Sequence, residues 1–207
     1  MTKFKMFFNF DKEEKWIGKM AEQGYQLKST SFGYNFYSSQ PENAVFKIDY
    51  RTFKSDRDFL EYCTLFEDSG WQHIAGTKQS GSQYFKKIRP DGNEDIFSDS
   101  FSRAGRYKRL SNMWLSLSVV WLPFIVVMFT SGSMKINGFL NPKALYLTPG
   151  LWEMSGFNFW RHFLFETPFA LLRGYSLFLC IAVVFLYVFF AIKSWLLYRK
   201  TLKQRNL

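Results

Sequence analysis

Residues Met113 to Thr130 read MWLSLSVVWLPFIVVMFT, and none of them carries a charge. As a helix this run rises roughly 27 Å, close to the hydrocarbon thickness of a bilayer. Pro123 would break a water-exposed helix, but a membrane helix accommodates it as a kink. A second uncharged run, GYSLFLCIAVVFLYVFFAI, extends from Gly174 to Ile192 between Arg173 and Lys193. Neither run has a polar face, so both read as transmembrane helices rather than core helices of a soluble protein. Trp114, Tyr175 and Trp195 lie near the span ends, where amphipathic rings prefer the headgroup zone.

Charge orients the spans. The formal net charge of +10 invites a nucleic-acid reading, but residues 1–100 are nearly balanced. The surplus lies in Arg103, Arg106, Lys108 and Arg109 before the first run. After the second come Lys193, Arg199, Lys200, Lys203 and Arg205. Such clusters are expected to touch lipid headgroups and fix orientation, whereas a DNA footprint would spread over a folded face. The connection from residue 131 to 172 holds only Lys135, Lys143 and Arg161 as basic residues. The asymmetry predicts a protein of the cytoplasmic membrane with both termini inside. Trp152, Phe157, Phe159, Trp160, Phe163 and Phe165 crowd the connecting loop. Arg161, His162 and Glu166 exclude a third span there, so a helix or turn in the outer interface is expected.

The first half reads differently. The overall mean hydropathy of −0.16 averages two unlike halves, and aromatic residues at 21% give residues 1–100 material for a packed core. Lys3 to Phe10 has strand character, and Asp11 with Glu14 three residues on reads as a capping box. Trp16, Ile17 and Met20 recur at helical spacing until Gly24. Two strands follow, Tyr25 to Phe32 and Tyr34 to Ser38. The order then recurs: a strand from Ala44 to Arg51, a helix opened by Ser55 or Asp56, its stop at Gly70, and strands Trp71 to Lys78 and Gln83 to Ile88. Laying Gly70 on Gly24, a shift of 46 residues, also superposes Tyr62 on Trp16, Phe66 on Met20 and Trp71 on Tyr25. This predicts an internally duplicated β-α-β-β domain, with repeats at about 3–39 and 44–89.

The expected fold class is therefore α+β: one antiparallel-rich sheet with two helices on one face, followed by two transmembrane helices. Residues 101–112 read as a basic juxtamembrane helix, 113–130 and 174–192 as the spans, and 193–207 as a basic tail. The sheet's other face would offer a groove for a ligand or partner, with Tyr34, Phe36, Tyr84 and Phe85 as candidates to line it. Tyr84 and Phe85 are neighbours, so only one can point in. Asp49 and Arg51 share a strand face and read as a structural ion pair or a polar anchor for a ligand. Paired β-α-β-β units resemble the effector-binding domains of the gyrase-inhibitor-like superfamily, whose groove between repeats holds small, often aromatic, ligands.

The string Phe8, Trp16-x-x-x-Met20-x-x-x-Gly24-Tyr25-x-Leu27, Tyr34-x-Phe36 and Phe46-x-Ile48-Asp49-Tyr50-Arg51 is more specific. It continues with Tyr62-x-x-x-Phe66-x-x-x-Gly70-Trp71, Tyr84-Phe85-Lys86-Lys87 and Ile96-Phe97. It resembles a family of bacterial membrane proteins known only as a domain of unknown function. That family usually has Trp where this chain has Tyr25. The resemblance implies genes beside PadR-type transcriptional repressors and a role in envelope or drug stress.

Catalytic chemistry is not expected. His73 and His162 are the two histidines, assigned to opposite sides of the membrane. No metal spacing, phosphate loop or nucleophile elbow occurs, and no cofactor is implied. Cys63 and Cys180 read as buried small hydrophobes. Neither span contains the acid or base that transport pathways use. The expected function is a membrane-anchored regulatory or sensory binding protein. Its partners would be membrane lipid, a protein such as a PadR-like repressor, a small amphipathic ligand and a further copy of itself, with no direct nucleic-acid contact. The competing reading is an accessory or immunity subunit of an envelope or export complex.

Overall fold

A computed structural model of the chain describes residues 1–91, 94–130 and 141–203. Lys135 and Arg205 lie outside them. The chain divides into two compact units, Met1–Asn112 with Ile192–Leu207, and Met113–Ala191.

The first unit runs β1 (Thr2–Lys3), α1 (Phe10–Glu22), β2 (Tyr25–Ser29), β3 (Tyr34–Ser38), then β4 (Phe46–Tyr50), α2 (Asp56–Asp68), β5 (Trp71–Ala75) and β6 (Ser82–Lys87). It closes with the start of α3 (Ser100–Val120). Asn9 caps α1 by accepting from Lys12 N–H at 3.2 Å, and Ser55 caps α2 through Asp58 N–H at 3.0 Å. The cap is Asn9 rather than Asp11 because Asp11 and Glu14 are engaged elsewhere. Gly24 and Gly70 follow the two helices at φ +82° and +88°, a left-handed conformation that glycine adopts without steric cost. The first strand is shorter than expected, since only Thr2 and Lys3 pair with β3.

Two three-stranded antiparallel sheets form, ordered β1-β3-β2 and β4-β6-β5, in place of the single sheet expected. In each, the register between the two hairpin strands shifts, at Leu27/Ser29 and at His73/Ala75. The helices do not share a face either. Tyr84 packs in a core with Phe10, Ile17 and Met20 of α1, and with Leu27 and Phe36 of the first sheet. Its neighbour Phe85 packs in a second core with Tyr62 and Phe66 of α2 and with Trp71. Successive strand residues point to opposite faces, so β6 is covered on both sides, by α1 on one and by α2 on the other.

Two helical stretches are long and apolar enough to cross a membrane, Ser100–Met128 and Phe178–Lys203. Only 11% and 17% of their apolar windows is buried, whereas a soluble protein's core helix would be mostly covered. The first is interrupted at Trp121, between α3 and α4 (Leu122–Thr130). Pro123 has no N–H for the Val119 carbonyl and its ring crowds that group, which accounts for the break.

Helix α5 (Gly156–Lys203), most of which belongs to the second unit, is one helix from the aromatic segment into the second apolar run. Its stretch up to Ala191 rises roughly 54 Å, well beyond a hydrocarbon core. Of the helix or turn expected there, a helix forms, and it is the first part of a longer one. Short 3-10 turns at Pro142–Leu145 and Leu151–Glu153 fold onto it. Tyr146 stacks on Phe163 with ring centroids 5.3 Å apart, and the Glu166 carboxylate accepts from Thr148 N–H at 2.9 Å.

Candidate functional site

Helix α3 carries Arg103, Arg106 and Arg109 three residues apart, which aligns them along one stripe. Each meets a carboxylate. Arg103 donates to Asp11 Oδ1 at 2.6 Å and lies 3.8 Å from Asp95. Arg106 is 0% exposed. It donates to Asp11 Oδ1 at 2.7 Å, Glu14 Oε1 at 2.5 Å and the Ile48 carbonyl at 2.7 Å. Rings of Phe10, Phe97 and Tyr107 surround it at 5.1–5.2 Å from its guanidinium carbon. Arg109 donates to Asp49 Oδ1 and to the Tyr50 carbonyl.

These contacts close a sheet edge. Among the described residues strand β4 pairs with β6 alone, which leaves outward backbone groups on its other side. The Ile48 N–H donates to Glu14 Oε1 at 3.1 Å, while Arg106 and Arg109 bind the carbonyls of Ile48 and Tyr50. Unpaired buried backbone groups would each cost about 1–3 kcal/mol. The Tyr107 hydroxyl accepts from Phe10 N–H at 3.2 Å, satisfying a donor at the start of α1.

The acids respond to this setting. Burial lifts the Asp11 carboxyl, but hydrogen bonds and charge from Arg103 and Arg106 outweigh it and hold the group below the ordinary aspartate value. Burial pushes Glu14 upward even against Arg106. Glu13 lies one residue away and is also raised by burial. The hydroxyls of Tyr34 and Tyr84, one from each sheet, both donate to its Oε1 at 2.7 Å.

Beside the Arg109 contact, a cleft of about 370 Å³ opens between β4, α2, the 96–98 segment and α3. Its polar end holds Asp49, Arg51, Arg109 and the Tyr62 hydroxyl, and its walls include Phe66, Phe97 and Phe101. Tyr62 Oη donates to Asp49 Oδ2 at 3.0 Å, and the Tyr50 N–H donates to Asp49 Oδ1 at 2.8 Å. Arg51 approaches Asp49 at 3.9 Å and stacks over the Tyr62 ring at 5.4 Å. Arg109 balances Asp49, so Arg51 supplies the net positive charge. The cleft combines a cation with an aromatic wall, the complement of an amphipathic anion.

Asp49 and Arg51 approach within 3.9 Å, the structural ion pair that their shared strand face suggested, and both line this cleft. The other four groove candidates do not. Tyr34, Phe36, Tyr84 and Phe85 are all buried in the two cores, and the aromatic groove is closed by α1 and α2. The headgroup assignment of Arg106 is overturned by its complete burial, and that of Arg109 by its ion pair with Asp49. Lys108 and Lys200 are exposed, Lys193 Nζ lies 3.8 Å from the Phe8 ring centroid, and Arg199 stacks on Trp195 at 4.1 Å. In the second unit Tyr175 is exposed, while Trp114 packs against the rings of Tyr187 and Phe190. Asp11, Glu14 and Tyr62 were not assigned to a site from sequence, and Arg103, counted with the headgroup cluster, pairs instead with Asp11 and Asp95. The three-residue spacing of the arginines was the available signal, because headgroup-seeking charges need not keep to one stripe. Among the described residues, no cluster of His, Cys, Asp or Glu could hold a metal ion.

A family model described as protein of unknown function (DUF2812) matches residues 9–119, more than half the chain. The chain belongs to the DUF2812 family. The DUF2812 match begins at the α1 cap Asn9 and ends within α3, so it contains every arginine and carboxylate of the network. No curated protein and no solved structure matches the chain.

Proposed function

We propose that this DUF2812 protein is a membrane-anchored regulatory binding protein. The first unit takes an amphipathic anionic ligand in the Asp49–Arg51–Arg109 cleft and engages a cytoplasmic protein partner. The resemblance points to a PadR-like repressor as that partner. Both apolar helices span the cytoplasmic membrane, with both termini inside. The two β-α-β-β units descend from a duplication, a reading supported by their identical sheet order and by register shifts at matching positions. The observation that carries the functional reading is that one cleft wall is α3, the helix that continues into the first apolar run. Occupancy of the cleft would thus act on the helix that enters the bilayer.

Arg51 gives the cleanest test, because its half-exposed side chain is held by a 3.9 Å approach to Asp49 and by stacking over the Tyr62 ring, with no buried ion pair to lose. Full-length protein in lipid nanodiscs is titrated with 1-naphthoate, an aromatic carboxylate. Wild type should bind saturably. Arg51→Ala should weaken binding by about tenfold or more, the equivalent of one lost charge-assisted hydrogen bond. Equal binding by both proteins would remove the cleft from the account. Regulator capture from detergent extracts, compared with and without the probe, tests the partner separately.

A further inference from the structure

The end of the first unit where α1 begins carries exposed apolar side chains that the cleft does not use. Phe4 is 81% exposed, Met6 76% and Phe32 85%. They come from two segments that meet in space. Strand β1 pairs with β3, and a Cβ placed on Gly33 would lie 2.9 Å from the Phe4 ring. Phe4 therefore lies beside the turn that presents Phe32. Single exposed hydrophobes are ordinary, but a cluster of aromatics marks a contact surface.

Two features name the occupant. The first is continuity with the apolar helices. Lys193, the first charge after the second apolar run, sits over the Phe8 ring, so the N-terminal arm passes where α5 would leave lipid. Helix α1 runs away from residue 10 and β2 returns along it, so the turn before β3 comes back to that same end. The second feature is charge. Residues 1–10 and 24–39 contain Lys3, Lys5 and Lys28 and no Asp or Glu, the complement of an anionic headgroup layer.

We infer that Phe4, Met6 and Phe32 form an apolar foot resting in the anionic headgroup layer of the membrane that the two apolar helices enter. The foot would hold the first unit at a fixed tilt and set how the cleft faces the bilayer. This inference rests on the membrane-spanning reading above, and the experiment separates the two.

Full-length protein with Cys63→Ser and Cys180→Ala receives a single cysteine in place of Phe32, Leu60 or Leu186. Each variant carries an environment-sensitive fluorophore and is reconstituted in vesicles of phosphatidylcholine and phosphatidylglycerol, with and without nitroxide-bearing lipid. Leu60, exposed on α2, is the water control, and Leu186, in the second apolar run, is the lipid control. The label at 32 should be quenched several-fold more strongly than the label at 60, by nitroxides near the headgroup. If 186 is quenched and 32 behaves like 60, the foot is overturned while the spans stand. If 186 is not quenched, the spanning reading itself fails. A label at 32 that is shielded only at high protein density, without lipid quenching, would assign the surface to a second copy and overturn the proposal. Phe4→Cys reports on the same face should the Phe32 variant fail to fold.

Discussion

Arg106→Met isolates the element that ties α3 to the rest of the first unit. Methionine keeps much of the apolar stem among Phe10, Phe97 and Tyr107 but withdraws the guanidinium from Asp11, Glu14 and the Ile48 carbonyl. Asp11 retains Arg103. Glu14 keeps only Lys47, at 4.0 Å, as a cation. Breaking a buried pair from one side costs about 3–5 kcal/mol, because the remaining charge stays desolvated. The orphaned carbonyl adds about 1–3 kcal/mol. For a unit near a hundred residues, each kcal/mol moves the midpoint by about 4 °C or more, so the fall should exceed about 10 °C. Thermal unfolding of full-length protein in detergent, followed by near-ultraviolet circular dichroism, reads it directly. The loss should also depend on pH. Without Arg106, only Lys47 and the Ile48 N–H oppose the burial of Glu14, whose carboxyl is already raised and should rise further. A raised carboxyl favours the folded state when protonated, and that contribution is lost as pH rises through the folded value. The variant should therefore be closer to wild type at pH 5 than at pH 8. Adding Glu14→Gln should recover part of the loss at pH 8. A variant within about 1 kcal/mol of wild type, or a double mutant that is simply additive, would refute the network as described.

Further expectations follow from the same contacts. Glu13→Gln keeps an oxygen for the two tyrosine hydroxyls while removing a buried charge. It should gain stability over wild type at pH 8 and little at pH 4.5, because the penalty of the raised Glu13 carboxyl builds as pH climbs from the ordinary glutamate value and is complete above the folded one. Urea denaturation at the two pH values checks this. Tyr62→Phe removes the hydroxyl that donates to Asp49 and should cost about 1 kcal/mol in the same assay. Gly76→Ala adds a Cβ that would overlap the Gln83 Oε1, at a φ of +116°. It should cost more than about 1 kcal/mol in the same urea denaturation, and the yield of monodisperse protein from detergent extracts reports whether the β5–β6 hairpin survives.

Much of the backbone plan was legible. The helix stops at Gly24 and Gly70 depend only on local chemistry, as does the Ser55 cap, and they form where the residues indicate. The apolar runs declare themselves by composition. Sheet assembly was not legible in the same way, because β-α-β-β periodicity says which face of a strand is apolar and not what covers it. The pair Tyr84-Phe85 held the missing clue: two adjacent buried aromatics require a strand covered on both faces. Arg106 and Arg109 misled for a related reason. A charge count near a span cannot distinguish an arginine that faces lipid headgroups from one whose stripe meets Asp11, Glu14 and Asp49, residues distant in sequence. The approach of Arg51 to Asp49 was legible because strand alternation alone puts the two on one face.

Cysteine accessibility tests the arrangement most directly. In the background lacking Cys63 and Cys180, Tyr37→Cys reports on the first unit and Leu147→Cys on the segment between the apolar runs, both at exposed positions. With a membrane-impermeant maleimide on intact cells, the proposed topology predicts labelling at 147 and protection at 37 until the membrane is permeabilised. Labelling of 37 from outside, or equal labelling of both sites before permeabilisation, would contradict it.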